Sequence, residues 1–255
     1  MLKQIPNIFT LLNLICGCVA IVYTIQNGIT IQYDAEGAQF IDLSEKIWMA
    51  SLFIAIAAVV DFLDGFIARL FNASSEMGKQ LDSLADVVSF GVAPSMIVYQ
   101  FLRMSYAAAE GVINTSIFLL VPAFILAAAG AYRLARFNLD NIHQHGFKGV
   151  PIPAAGLLIA SLPLIYWNTT NANIINLITN KWFLYALILF VSWLMISRLP
   201  LMDLKFKNLS LKSNLSKYIL VIFSVLAAVI LHWFAVPIIF LAYIILSLAF
   251  KNKTA

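Results

Sequence analysis

Charged residues are scarce in this 255-residue chain, making up 11% of it against about 25% in an ordinary soluble domain, while 62% is hydrophobic against about 45–50%. That balance excludes a water-soluble globule. With a mean hydropathy of +0.91 and several apolar runs near the ~20 residues a bilayer demands, it predicts a polytopic helical membrane protein. The runs are continuous rather than alternating, which excludes a transmembrane β-barrel. Cysteine is nearly missing too. Cys16 and Cys18, the only two, sit inside the first apolar run and point to different sides of a helix, so neither a disulfide framework nor a zinc site is available. There is no basic block interleaved with aromatics, so the formal charge of +4 and the pI near 9.0 do not indicate nucleic acid. Glycine-rich nucleotide loops of the soluble types, internal repeats and low-complexity tracts are also lacking. Residues 1–255 are expected to form a single integral-membrane domain.

What is present is a series of apolar runs near residues 8–27, 47–70, 81–103, 113–137, 154–170, 181–198, 217–233 and 235–250. The first follows Lys3 like a signal peptide, but it is long and no small-residue cleavage site follows, so it is expected to be retained as a span. As one helix at ~1.5 Å per residue, 217–250 would reach ~50 Å, well beyond a ~30 Å hydrocarbon core. The sequence His232-Trp233-Phe234-Ala235-Val236-Pro237 supplies an interfacial aromatic and a helix breaker, predicting a hairpin there. The expected fold is therefore an all-α transmembrane bundle of about eight spans. Thirteen of the sixteen Lys and Arg fall on the side of the N-terminus, with only Lys46, Arg103 and Lys181 opposite. The positive-inside rule then puts both termini in the cytoplasm and the acidic first loop, with Asp34, Glu36, Asp42 and Glu45, outside.

The second run should be plain hydrocarbon, yet it reads AAVVDFLDGFIARLF and carries Asp61 and Asp64 near its cytoplasmic end. Ionisable groups at that depth are costly and point to function. The third run opens GKQLDSLADVVSFG, bringing Asp82 and Asp86 to a matching depth. Spacings of i, i+3 and i, i+4 put each pair on one helical face, so the pairs can meet across an antiparallel hairpin. Four converging carboxylates repel one another unless a cation intervenes. Oxygen ligands suit Mg²⁺, Mn²⁺ or Ca²⁺, and Mg²⁺ favours a few carboxylates plus substrate phosphates. Gly65 and Ala68 bare the helix surface beside the acids, and Arg69 can serve a phosphate or a carboxylate. The competing reading is an acid-lined proton or cation path in an ion-coupled transporter, which predicts inverted repeats or broken helices that the sequence does not display.

Asp61-x-x-Asp64-Gly65-x-x-Ala68-Arg69, then eight residues, then Gly78-x-x-x-Asp82-x-x-x-Asp86 resembles the CDP-alcohol phosphotransferase signature at every fixed position. The resemblance implies an integral-membrane enzyme that moves a phosphoalcohol group from a CDP-alcohol to a hydroxyl. It implies that Asp61, Asp64, Asp82 and Asp86 hold two divalent metals on the donor pyrophosphate, and that Asp86 is the base for the acceptor. It also implies that Gly65, Ala68, Arg69 and Gly78 shape the CDP site, and that the protein is a homodimer of the cytoplasmic membrane with its active site facing the cytoplasm. The physical logic agrees: displacement at the diester phosphorus needs charge neutralisation and a carboxylate within reach of the acceptor hydroxyl.

Three further segments resemble the branch of that family that uses CDP-diacylglycerol and L-serine, giving phosphatidylserine and CMP. They are Ile5-Pro6-Asn7 through Thr10 to Asn13, AYRLARFN at 131–138, and FKGVPIPAAG at 147–156. Asn7, Thr10 and Asn13 form one helical stripe. Arg133 and Arg136, spaced i, i+3, and Lys148 in the next loop lie on the side of the aspartates, where an acceptor carboxylate needs a cation; Asn13 joins them as an acceptor-side residue. Plain alternatives stand beside these assignments: the cations as lipid anchors, Asn13 as an interhelical hydrogen-bonding residue. His143 and His145 lie in a polar loop better explained by hydration than by metal binding. Another acceptor, glycerol 3-phosphate or an inositol phosphate, is the alternative within the family, although a doubly charged phosphate calls for a denser basic pocket.

Overall fold

The computed structural model describes residues 5–33, 39–70, 75–110, 115–139, 147–202 and 211–250. Helix α1 (Ile5–Gln26) leads into an antiparallel hairpin of β1 (Ile29–Tyr33) and β2 (Gln39–Leu43), and α2 (Trp48–Leu70) returns along α1. Then α3 (Glu76–Asp86) begins at Ser75, whose hydroxyl accepts from the Gly78 amide at 3.0 Å, the usual means of satisfying a helix's first amides. A π-helical segment, Val87–Val92, carries α3 directly into α4 (Ala93–Glu110). Its widening has a local cause in Pro94, which lacks an amide and whose ring would collide with the Phe90 carbonyl in a regular helix. The Ala93 amide accordingly donates five residues back, to the Val88 carbonyl. The chain continues through α5 (Ile117–Leu120), α6 (Ile125–Leu139), β3 (Phe147–Lys148), α7 (Ile152–Asn168), α8 (Ala172–Ile178), α9 (Lys181–Ile196), β4 (Pro200–Leu201), α10 (Leu211–Leu231) and α11 (Ala235–Ala249).

The π segment is the hub of the bundle, since α1, α6 and α7 all pack on it. Small residues allow that approach. A Cβ on Gly17 of α1 would lie 2.7 Å from the Ser89 Cα, and one on Gly156 of α7 would lie 3.0 Å from both Cα and carbonyl oxygen of Phe90. Gly156→Ala is therefore expected to destabilise the bundle by roughly 1–3 kcal/mol, the usual cost of overpacking. Thermal unfolding in detergent measures it, and an unchanged midpoint would mean that α7 can move away freely. Around the hub, Phe90, Ile97, Phe101, Ile152, Ile159, Leu184 and Ile188 are buried. Leu11, Ile15, Ile56, Val59, Phe62, Ile222 and Val229 face outward, an apolar exterior that suits lipid. The protein is an integral membrane protein built as an α-helical bundle.

The eight-span expectation is only partly matched. By length and composition five helical stretches among the described residues can cross a membrane, or six if α8 and α9, bent by 60°, count as one. The eight-span expectation had also counted α7, a shorter apolar helix, and divided the last stretch. That last stretch, Asn214–Ala249, is indeed interrupted: His232 has a φ of +48°, and α10 and α11 pack against each other across the turn His232–Phe234. On either side of residues 34–38 the acidic first loop forms the paired strands β1 and β2, tied to α7 by the Tyr166 hydroxyl, which donates to the Asp42 carboxylate. A second short pairing joins β3 to β4.

Candidate active site

Three helices build the acidic centre, not two. Both α2 and α3 pack on α1, whose polar stripe faces the acids. One carboxylate oxygen each from Asp61, Asp64 and Asp82 lies within 4.8 Å of the others, and Asp61 and Asp82 stand in direct side-chain contact. The Thr10 hydroxyl donates to Asp64 Oδ2 at 2.8 Å, fixing a carboxylate that is only 7% exposed. One turn beyond Asp82, Asp86 lies outside that three-acid group but within electrostatic reach of all its members. It is 6% exposed, and its Oδ1 accepts from Asn13 Nδ2 at 3.2 Å. The Ser89 hydroxyl donates to the Asn13 carbonyl at 2.9 Å, so the π segment fixes the height of α1 beside Asp86.

Buried polar atoms without partners outline what the site is built to take. Asp82 Oδ1, Asn13 Oδ1 and Arg133 Nε are all buried and unpaired. A buried polar atom left unpaired costs about 1–3 kcal/mol, so such atoms at one centre signal a ligand. For Asp82, set against two other acids, hard oxygen donors with no thiol or imidazole in the cluster among the described residues fit a divalent cation.

The two arginines of α6 have different surroundings. Arg136 donates to the Ile196 carbonyl at 2.8 Å and to the Ser197 carbonyl at 3.3 Å, closing the C-terminal end of α9. Arg133, placed from sequence on the acceptor side of the site, is 5% exposed and interacts electrostatically with Tyr243 of α11, with Asp86 and with Arg136. Gly65 leaves open space beside the acids, and a Cβ there would meet nothing within 4 Å. Gly78 lets Asn7 come close, for its Cβ would sit 3.0 Å from Asn7 Oδ1. The side chains of Ala68, Arg69 and Lys148, and the loop with His143 and His145, lie outside the described residues. Sequence reasoning passed over Ser89, and over Asn138, whose Nδ2 donates to Ser83 Oγ at 2.8 Å and ties the end of α6 to α3. Thr10 had a signal in the Asn7, Thr10, Asn13 stripe.

The chain belongs to the CDP-alcohol phosphatidyltransferase family, whose profile matches residues 3–199. The family uses divalent metals, and Asp61, Asp64 and Asp82 form the carboxylate cluster. Curated relatives narrow the resemblance. A CDP-diacylglycerol–serine O-phosphatidyltransferase of Helicobacter pylori is 33% identical over 219 residues, covering 85% of this chain and 78% of the relative. The Bacillus subtilis protein of that name is 34% identical over 165 residues, covering 65% of this chain and 78% of the relative. The Methanocaldococcus jannaschii one is 37% identical over 123 residues, covering 48% and 52%.

Proposed function

We propose that this protein transfers the phosphatidyl group from CDP-diacylglycerol to the hydroxyl of L-serine, giving phosphatidylserine and CMP. The observation that carries the acceptor assignment is Arg133, a cation buried beside Asp86 with an unpaired Nε. A guanidinium suits a carboxylate, whereas a dianionic phosphate would call for a denser basic pocket. Asp61, Asp64 and Asp82, with Asp86 completing the set, would hold two divalent ions, Mg²⁺ or Mn²⁺, which would supply charge neutralisation for the pyrophosphate and the departing CMP.

The chain's own groups do the rest. Thr10 orients Asp64, and Gly65, Ala68, Arg69 and Gly78 shape the space for CDP. Asp86 takes the proton from the serine hydroxyl, steadied by Asn13 on its other side. The hydroxyl oxygen bonds to the phosphorus that carries the diacylglycerol as the bond from that phosphorus to the bridging oxygen breaks, and CMP leaves. Arg133 holds the serine carboxylate, Asn13 and Lys148 stand on the acceptor side, and Arg136 supports α9. The charge distribution supports cytoplasmic termini and a cytoplasmic site, where a soluble acceptor meets a donor whose tails stay in the bilayer. Family resemblance supports a homodimer.

The two arginines test the acceptor assignment. Arg133→Lys is expected to raise the KM for serine about tenfold or more, the scale of a lost hydrogen bond to a charged group, with the KM for the lipid donor little changed. Arg136→Lys is expected to leave the serine KM alone and lower thermal stability. An unchanged serine KM in Arg133→Lys would remove Arg133 from the acceptor site.

A further inference from the structure

Asn13 is fully buried on α1, and its amide has one end committed and one end free. Nδ2 donates to Asp86, while Oδ1, on the same carbon and so alongside the same carboxylate, has no partner. The Asn13 backbone carbonyl is itself held by Ser89, so the residue is fixed from both sides. Oδ1 can only accept, and the partner it lacks must carry N–H or O–H. Arg133, also buried, interacts electrostatically with Asp86 and has an unpaired N–H that can only donate. An acceptor on Asn13, hydrogen-bonded to Asp86, and a donor on Arg133, electrostatically linked to Asp86, therefore each lack a partner and make different demands.

The geometry points to three-point recognition of an α-amino acid bearing a β-hydroxyl, in which Asn13 Oδ1 takes the α-ammonium, Arg133 the carboxylate and Asp86 the hydroxyl. This rests on the proposed serine-accepting activity and adds the group that reads the nitrogen. Three different contacts to three substituents of one carbon distinguish the two enantiomers, which two contacts cannot do. Asn13 then both positions Asp86 and selects the acceptor.

The test is CMP release by the full-length protein at saturating CDP-diacylglycerol and Mg²⁺, with L-serine, D-serine and 3-hydroxypropanoate, which lacks the ammonium, as acceptors. In Asn13→Ala the preference in kcat/KM for L-serine over 3-hydroxypropanoate is expected to fall by about tenfold to a hundredfold, as for a lost hydrogen bond to a charged group, and the preference for L- over D-serine with it. Asn13→Asp keeps an oxygen for the ammonium but loses the donor to Asp86, so it is expected to turn over slowly while retaining both preferences. An equal loss with all three acceptors in Asn13→Ala would overturn the inference and leave Asn13 as a positioning residue for Asp86 alone. A raised KM for the lipid donor would assign Oδ1 to the cytosine amino group, and a raised Mg²⁺ requirement would assign it to the metal; either overturns it. Should Asn13→Ala not fold, the wild type still decides, because equal use of D- and L-serine contradicts three-point contact. No CMP release with any form of serine by the wild type would instead refute the serine-accepting activity itself.

Discussion

Asp61→Asn, Asp64→Asn and Asp82→Asn are each expected to abolish turnover while leaving the protein folded in the membrane. The loss should exceed the ~100-fold that removal of a mere supporting contact costs at a metal site, because these carboxylates supply the ligand oxygens themselves. Their oxygens converge within 4.8 Å, and carboxylates so close repel one another when no cation lies between them. The metal-free Asn variants are therefore expected to melt no lower than metal-free wild type, which separates loss of chemistry from loss of fold. EDTA should reproduce the loss in wild type, and Mg²⁺ or Mn²⁺ should restore activity. Full activity in metal-free protein would contradict a metal-holding role for the three acids.

Asp86→Asn is expected to lower kcat by about 10²- to 10⁴-fold, the range for a removed general base, with CDP-diacylglycerol binding much less affected. Two features separate Asp86 from its neighbours: it lies outside the three-acid group, and it accepts a hydrogen bond from Asn13. If donor binding collapsed in step with the rate, Asp86 would be mainly a metal ligand. Donor affinity measured in Asp86→Asn at saturating metal distinguishes the two roles.

The acidic centre was legible in the sequence because ionisable residues inside apolar runs stand out, and because the i, i+3 and i, i+4 spacings place each pair on one helical face. The helices themselves were legible for the same reason: α1, α2, α10 and α11 fall close to the apolar runs that announce them. The contribution of α1 was only half legible. Asn7, Thr10 and Asn13 share a stripe, but only tertiary packing shows that Thr10 reaches Asp64 and Asn13 reaches Asp86. Arg133 and Arg136 could not be told apart by spacing. Three residues along a helix put both on similar sides, and it is the end of α9, sixty residues downstream, that engages Arg136. The π segment had a clue in Pro94, yet its role as the contact point of α1, α6 and α7 is a property of the assembled bundle. The β-hairpin was hidden because five-residue strands leave little periodicity to detect.

The most direct measurement compares CMP release from CDP-diacylglycerol by the purified protein with L-serine and with glycerol 3-phosphate, each over a full concentration range in Mg²⁺ or Mn²⁺. A buried arginine in electrostatic contact with the base predicts saturable CMP release with serine, matched by formation of phosphatidylserine, and little or none with glycerol 3-phosphate. Release that depends on glycerol 3-phosphate and ignores serine would contradict the account.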